Sequence, residues 1–317
     1  MFKNYPIAIG FKTAFRNLTR NKVYSFINIA GLSIGLACAM LIMLYVKDEV
    51  SFDRFHKNVN NIYRIAKKSK RGNENGSTGF VQGPRFTQNI PGIKSFVRVQ
   101  GGFEDIKKGT GVQEQDGVLS VDSNFFSVFT FPLLSGNSET CLTEPHSIVL
   151  SEDAAKKYFA TTDAVGKIMM VKEDTSFVPY KVTAVAKRCP QNSSIQFDAL
   201  LPFKVSDADA KDTHNWFNSF LTTFVVLDAK ANLQTVEKEM QRFYVADAKS
   251  TFYEMLKNDG GNPDDIPMGT YFLQPYPDMH LNTELTASNG ITNTSNPIYS
   301  YLLSDIALFV LLITCIN

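Results

Sequence analysis

The sequence predicts an α+β membrane protein with an N-terminal transmembrane helix, a mixed α/β extracytoplasmic domain of two subdomains, and the start of a second transmembrane helix. Three observations predict this class. No residue from Val23 to Val46 is charged, the roughly 250 residues that follow have the mixed composition of a soluble domain, and Ile306 to Ile316 is continuously apolar. The expected segments are a basic cytoplasmic segment at 1–22, a transmembrane helix at 23–46, the domain at 47–298, and a truncated second helix at 299–317.

The first apolar run is long enough to cross a bilayer. As a helix it would be about 36 Å long, against a hydrocarbon core of about 30 Å. A cleaved signal peptide is disfavoured because its apolar region is typically about 7 to 15 residues long. The residues before the run include five cations and no Asp or Glu: Lys3, Lys12, Arg16, Arg20 and Lys22. The N-terminus is therefore expected in the cytoplasm and the domain after residue 47 outside it.

The basic segment also has a helical period. Apolar residues recur at intervals of four and three, at Phe11, Phe15 and Leu18. Cations recur every four residues on another face, at Lys12, Arg16 and Arg20. This pattern predicts an amphipathic helix on the inner leaflet, with its cations against anionic lipid headgroups. The alternative is a basic flank that only orients the span.

Small residues line one face of the first span. Gly31 and Gly35 form a G-x-x-x-G pair, and Ala39 extends the row by another four residues. Such a row lets a second helix approach closely, so this face is expected to pack against a neighbouring membrane helix. No charged side chain lies within the span, so no ion or proton path is predicted there.

The second apolar run is shorter than a bilayer crossing. Ile306 to Ile316 follows Tyr299 and Tyr301, which suit a membrane interface. A buried core helix is an alternative on length alone. Because no loop or cap follows the run, we expect a longer protein that has been cut inside its second membrane helix.

The region between the two runs alternates strand and helix signals. Strands are expected at 61–66, 148–150, 181–186 and 222–227, with a flexible loop at 71–79. Ser151 is expected to cap a helix over the sequence EDAAKKYF, and the longest soluble helix is expected from about Leu233 to Phe252. The aromatic segment FFSVFTFPLL at 125–134 favours core packing over a partner surface. Cys141 and Cys189 could pair in an oxidising compartment or remain free.

Motifs for catalysis or ligand binding are not found in this region. The four histidines, His56, His146, His214 and His280, show no metal-ligand spacing. The Gly166-Lys167 pair lacks the other residues of a phosphate loop. A formal net charge of +1 gives no reason to expect nucleic acid binding. We therefore predict no catalytic residue, no metal site and no cofactor-binding residue.

Several stretches nevertheless resemble the MacB/FtsX-like family of bacterial ABC transporter permeases, over essentially the whole chain. At the N-terminal end they are FKTAFRNLTRNKVYSFINIAGLSIGLA (11–37) and SFDRFHKNVNNIYRI (51–65). In the middle they are VDSNFFSVFTFPLLSGN (121–137), HSIVLSEDAAKKYF (146–159) and YKVTAVAKRCPQNSSIQFDALLPF (180–203). Near the end they are LQPYPDMHL (273–281) and SDIALFVLLITCIN (304–317). One departure is QGPRFTQNIPGIKSFVRV at 82–99, where relatives more often have a Leu- and Glu-rich helix.

The resemblance implies a permease whose periplasmic core domain is inserted between its first two membrane helices. It implies a multi-pass protein of the bacterial inner membrane, working as a homodimer or a pseudo-dimer of permease halves with an ABC-type ATPase subunit. That partner binds the ATP, and movement is passed through the helices to the periplasmic domain; a periplasmic adaptor is a further expected partner. The sequence leaves one alternative open, a membrane-anchored extracytoplasmic sensor, which would also have two spans around an outer domain.

Overall fold

The computed structural model describes residues 16, 19–109, 113–205, 215–259, 268–285, 289–291 and 294–316. It divides into two compact units. One contains residues 1–50 and 296–317, and the other contains residues 51–295. The first unit is helical and the second is mixed α/β, which confirms the fold class expected from the sequence. The proposed segment boundaries themselves stay predictions.

Two apolar helices form the described part of the helical unit. Helix α1 spans Lys22–Val50 and helix α6 spans Pro297–Ile316. The most apolar window of 18 residues has a mean hydropathy of 2.3 in Lys22–Val50 and of 1.7 in Pro297–Thr314, so both helices are long and apolar enough to cross a membrane. Most of their large apolar side chains are exposed. Exposed apolar surface of this extent is typical of contact with lipid.

Helix α6 begins nine residues before the apolar run that suggested it. The Asn296 side-chain oxygen accepts a hydrogen bond from the Ile298 amide at 3.0 Å, and Pro297 occupies the first helical position. Both features favour a helix start. The helix of 20 residues is therefore about 30 Å long, although the apolar run contains only its second half.

Eleven strands form one mixed sheet in the described residues of the α/β unit. In chain order they are β1 (Ile62–Lys68), β2 (Glu74–Asn75), β3 (Ile93–Lys107), β4 (Glu114–Val121), β5 (Leu133–Ser135), β6 (Ser147–Ser151), β7 (Ile168–Glu173), β8 (Ser176–Ala186), β9 (Ala199–Pro202), β10 (Thr222–Leu227) and β11 (Thr270–Pro275). The helices of this unit are α2 (Gln82–Asn89), α3 (Phe125–Val128), α4 (Glu152–Phe159) and α5 (Leu233–Asp259).

Strand β3 joins two differently built parts of the sheet. Its first half pairs with β10, which continues to β1 and β11. Its second half pairs with β4 and then β7, and the pairings β4–β9, β9–β6, β6–β8 and β8–β7 close a ring of six strands. The two subdomains expected from the sequence thus share one long strand, β3. One is the open part that β3 forms with β10, β1 and β11, called the flat part here, and the other is the ring, called the closed part.

Three hydrophobic cores stabilise the sheet. Helices α2 and α5 cover one face of the flat part, where Phe86, Met240 and Tyr244 are fully buried. A second core on the opposite face contains Phe125 and Phe129 from the aromatic segment at 125–134, which confirms core packing for that segment. The third core fills the ring. Burial of this kind is the main favourable contribution to folding.

Most expected elements are present, with one difference. Ser151 caps α4 by accepting a hydrogen bond from the Ala154 amide at 3.1 Å, as expected. The expected flexible loop at 71–79 instead contains strand β2, and the Thr78 amide donates to the Leu221 carbonyl at 2.7 Å. The segment at 82–99 forms the short helix α2 and then β3, because Pro91 follows the helix end.

Candidate functional site

Both chain connections from the apolar helices enter the α/β unit at the same place. The first connection is the segment that follows α1, and its anchor is the buried side chain of Asp53. The Asp53 amide donates to the Asn192 carbonyl at 2.8 Å. Its carboxylate Oδ1 accepts hydrogen bonds from the Ser194 amide at 2.8 Å and from the Tyr276 hydroxyl at 3.1 Å. Asp53 is only 1% exposed, so these bonds are shielded from water.

The Asp53 carboxyl is held in an unusual electrostatic environment. Burial raises its pKa, although the hydrogen bonds from Ser194 and Tyr276 and the nearby His280 act in the opposite direction. Its second oxygen, Oδ2, accepts no hydrogen bond in the described part of the chain. The backbone φ of Asp53 is 59°, in the left-handed region that Asp adopts more readily than most residues. This combination identifies a specialised position rather than an ordinary surface acid.

A second hydrogen-bonded contact fixes the residue that directly follows α1. The Asn192 side-chain amide donates to the Ser51 hydroxyl at 3.0 Å and to the Ser51 carbonyl at 3.2 Å. Asn192 and Ser194 belong to the same loop, which lies between β8 and β9. This loop therefore binds the first connection at two points, Ser51 and Asp53.

The second connection, which leads to α6, reaches the same region. The Ser295 amide donates to the His280 carbonyl at 2.7 Å. The His280 ring stacks on the Phe52 ring, with 3.4 Å between ring centroids and an interplanar angle of 3°. Phe52 of the first connection thus packs on His280, which binds Ser295 of the second connection.

His56 extends this region into the aromatic core. Its Nδ1 accepts a hydrogen bond from the Thr130 amide at 2.9 Å, and its ring lies 5.1 Å from Phe131 and 5.4 Å from Phe129. Burial lowers the pKa of His56 to about 3, so the ring is neutral at physiological pH. A neutral ring among aromatic side chains packs as part of the core and does not act as a proton carrier near pH 7.

We call these residues the junction cluster: Phe52, Asp53, His56, Tyr276 and His280. The described residues contain no group of three or more His, Cys, Asp or Glu side chains that could hold a metal ion. The cluster has hydrogen bonds, stacked rings and high burial, all of which resist deformation. Its arrangement is therefore suited to holding the two connections in fixed positions.

The residues predicted to pack between helices lie mostly on one buried face. Gly35 and Ala39 are buried, and Gly31 is partly buried. A Cβ atom on Gly35 would collide with the Thr314 side chain and would lie 3.4 Å from Val310, both on α6. Close approach at Gly35 is what a small-residue row permits. The functional role assigned to the row stays a prediction.

The predicted basic face is only partly described. Arg16 and Arg20 are exposed, whereas Lys12 and the apolar residues of the proposed amphipathic helix lie outside the described residues. Binding of the inner leaflet by this face stays a prediction. The two cysteines that could have formed a disulfide are both free and buried, and burial raises the pKa of Cys141 and of Cys189 to about 11.

Sequence patterns do not predict the junction cluster, because its residues form no catalytic or metal-binding motif. His56 and His280 show no metal-ligand spacing in the sequence. A signal was present: the motifs SFDRFH and PDMHL each lie near one end of the segment between the two apolar runs. Side chains from both motifs meet in the fold.

Comparisons with known proteins agree with this architecture. The family described as "MacB-like periplasmic core domain" matches residues 25–243. A crystal structure of a domain of a protein described as a permease, from Porphyromonas gingivalis, is 20% identical, with a TM-score of 0.55 over 69% of this chain and 91% of that chain. Among curated proteins, no sequence matches this chain significantly.

Two further solved structures are similar at lower scores. The periplasmic region of MacB from Actinobacillus actinomycetemcomitans is 13% identical, with a TM-score of 0.42 over 68% of this chain and 89% of that chain. The extracellular domain of the noncanonic ABC-type transporter YknZ from Gram-positive bacteria is 14% identical, with a TM-score of 0.43 over 68% of this chain and 100% of that chain.

Proposed function

This chain belongs to the family of proteins with a MacB-like periplasmic core domain, and from that membership we propose that it is the permease subunit of a bacterial ABC transporter. It is a membrane protein with a periplasmic domain, and members of this family are transporter components rather than enzymes. In the proposed mechanism a cytoplasmic ABC-type ATPase subunit binds and hydrolyses ATP. The resulting movement of the membrane helices is passed to the periplasmic domain, which drives export or efflux of a cargo.

The structural observation that supports the proposed mechanism is the attachment of both connections to one buried cluster. Only Ser51 and Phe52 separate the end of α1 from Asp53, so the connecting chain spans at most about 11 Å. Only Asn296 separates Ser295, which is hydrogen-bonded to His280, from the first residue of α6. Connections this short absorb little displacement. A movement of the helices would therefore reach the junction cluster largely undiminished.

The cluster also offers a route from the connections into the body of the domain. Tyr276 directly follows β11, and its hydroxyl donates to Asp53. Ser194 and Asn192 lie on the loop that leads to β9, one of the six ring strands. A displacement of Asp53 therefore acts on the flat part and the closed part of the sheet together. Such coupling through packed and hydrogen-bonded elements is the kind that a force-transmitting subunit requires.

The proposal includes a specific membrane arrangement and set of partners. The chain would be a multi-pass protein of the inner membrane, with its basic N-terminal segment against the lipid of the cytoplasmic leaflet. Two permease halves would form a homodimer or pseudo-dimer. A periplasmic adaptor would bind the outer domain. The chain itself would hold no cofactor, because ATP would bind to the partner subunit.

Purification of the protein from its native membranes tests this function. A tagged full-length protein is solubilised in mild detergent, and the proteins that remain bound after washing are identified by mass spectrometry. An ABC-type ATPase is expected in stoichiometric amount, with ATP hydrolysis that requires both subunits. Recovery of a histidine kinase or another signalling protein instead would contradict the permease and favour the membrane-anchored sensor.

A further inference from the structure

A cleft of about 380 Å³ lies on the helix-covered side of the flat part of the sheet. Strand β1, the turn between β1 and β2, helix α2 and residues 216–219 contribute to its walls. Its volume is in the range of small-molecule sites, which is roughly 300 to 1,000 Å³. The aromatic residues Trp216, Phe217 and Tyr271 line it together with hydroxyl and amide side chains: Ser69, Asn73, Asn75, Ser77, Asn218 and Ser219.

Lys67 contributes the only charged side chain of this lining, and no carboxylate faces it from the described walls. Its ammonium group donates to the Tyr244 hydroxyl at 2.9 Å. The same nitrogen lies 4.9 Å from the ring centroid of Tyr244 and 5.2 Å from that of Tyr271. An ammonium group has three protons to donate, and the tyrosine hydroxyl accepts one of them. A partly buried cation without an anionic partner is costly unless a ligand supplies the charge.

The sequence around Lys67 adds further positive charge. Residues 67–71 are KKSKR, four cations in five positions, and Glu74 is paired with Lys68 at 2.9 Å. The local field therefore favours anions at the mouth of the cleft. Neutral hydroxyl and amide groups inside the cleft can donate hydrogen bonds to an anion without repelling it.

A larger cavity of about 990 Å³, bordered by strands of the ring, does not have this property. Its two lysines are already paired with carboxylates. Lys204 lies 2.6 Å from Glu173, and Lys172 lies 2.9 Å from Asp105. The smaller cleft is therefore the better candidate for an anionic ligand.

We propose that the cleft binds a phosphate group, with Lys67 as its charge partner and the surrounding amides and hydroxyls as hydrogen-bond donors. A tetrahedral oxyanion has enough acceptor oxygens for donors that converge from several sides, whereas a carboxylate has only two. The phosphate is either free or carried by a small molecule, since the volume of the cleft is about 380 Å³. The competing interpretation is that Tyr244 and Tyr271 hold Lys67 for structural reasons alone, and it predicts no binding.

Equilibrium dialysis of the detergent-solubilised full chain against labelled orthophosphate tests the proposal, at pH 7 and fixed ionic strength. One saturable site is expected. Trp216 lines the cleft and is the only tryptophan of the chain, so its fluorescence should change over the same phosphate concentrations. Glycerol phosphate should compete with labelled orthophosphate for the site. If glycerol phosphate binds more tightly than orthophosphate, the natural ligand is a phosphomonoester; if it binds more weakly, the natural ligand is free phosphate.

Matched variants separate a specific site from general electrostatic attraction. Lys67→Gln should weaken binding at least tenfold, and Lys67→Arg should stay within a few-fold of the wild type. Lys68→Gln removes the same charge one residue away from an exposed side chain, and it should change the affinity less than twofold. If Lys67→Gln does not fold, Asn218→Asp places a carboxylate in the cleft and should cause a similar loss. Equal losses in the two glutamine variants, wild-type binding by Asn218→Asp, or no saturable binding would overturn the proposal.

Discussion

Removing the Asp53 carboxylate should destabilise the α/β unit by about 2–4 kcal/mol. The Oδ1 atom accepts two hydrogen bonds, from the Ser194 amide and the Tyr276 hydroxyl, in a site that is 1% exposed. A hydrogen bond to a charged group contributes roughly 1.5–3 kcal/mol, and relief of the buried charge in Asp53→Ala offsets part of the loss. Tyr276→Phe removes one of the two bonds and keeps the ring packing, so about 1–2 kcal/mol is expected.

Urea unfolding followed by tryptophan fluorescence measures these changes directly. The chain has a single tryptophan, Trp216, which is buried in the α/β unit and donates to Asp247 at 2.9 Å. The free energies of unfolding of Asp53→Ala, Tyr276→Phe and the double variant form a double-mutant cycle. Because the two side chains share a hydrogen bond, a coupling energy of about 1–2 kcal/mol is expected. Strict additivity, or a loss below about 0.5 kcal/mol for Asp53→Ala, would refute the anchoring role.

Asp53→Asn is the matched control, because its side-chain oxygen can still accept both hydrogen bonds. Its stability at neutral pH should lie within about 1 kcal/mol of the wild type. Burial raises the pKa of Asp53 above 3.8 in the folded state, so ionisation costs stability as pH rises through that raised pKa. The wild type should therefore lose stability relative to Asp53→Asn as pH rises above about 4. No change in the difference between them would contradict the burial of this carboxyl.

Three further outcomes follow from other parts of the structure. The folded-state pKa of His56, about 3, lies below the ordinary histidine value of 6.5, so its contribution to stability is present above pH 6.5 and is lost as pH falls toward 3. Relative to His56→Asn, the wild type should lose about 2 kcal/mol between pH 6.5 and pH 5, measured by urea unfolding, and parallel curves would contradict this. Gly35→Leu should disrupt packing against Thr314 and impair ATP-coupled function while the protein still inserts, and normal coupling would argue against close packing there. Cys141 and Cys189, with pKa values near 11, should resist maleimide labelling at pH 7 until the domain unfolds, and rapid labelling of the native protein would refute their burial.

Much of the fold could be predicted from the sequence, because the side-chain patterns that indicate its elements lie within a few neighbouring residues. The strand at Thr222–Leu227 and the helix capped by Ser151 depend on side-chain pattern and capping within a few residues. The apolar run of α1 is similarly unambiguous. Strand β2 was missed because its two residues have no strand pattern and are ordered by pairing with β1. The ring of six strands could not be predicted from the sequence either, because its closure depends on pairings between residues far apart in the chain, such as Ile106 with Val171.

The junction cluster could not be predicted from the sequence, because its residues are also far apart in the chain. The Tyr276 hydroxyl and Asp53 are 223 positions apart, and no local pattern predicts their hydrogen bond. The family resemblance nevertheless included both segments, at 51–65 and 273–281. A motif without catalytic side chains at each end of a domain is therefore worth testing as an attachment point. Lys67 is a similar case, because only the placement of the surrounding side chains shows that no carboxylate faces it from the described walls of the cleft.

The central claim is that movement of the helices is transmitted through the junction cluster, and its most direct test is to lengthen the first connection. Four Gly-Ser residues are inserted between Val50 and Ser51, and the control carries the same insertion between Asp174 and Thr175, in the hairpin turn between β7 and β8. A spin label is attached at Phe103→Cys, where the native side chain is 72% exposed, and Cys38→Ser removes the exposed native thiol. The distance between the labels of two copies is measured in nanodiscs that also contain the ATPase partner. The account predicts an ATP-dependent distance change in the uninserted protein and the control. It also predicts loss of that change, with ATP hydrolysis retained, when the insertion follows Val50. An unaltered distance change in that variant would contradict transmission through the junction cluster.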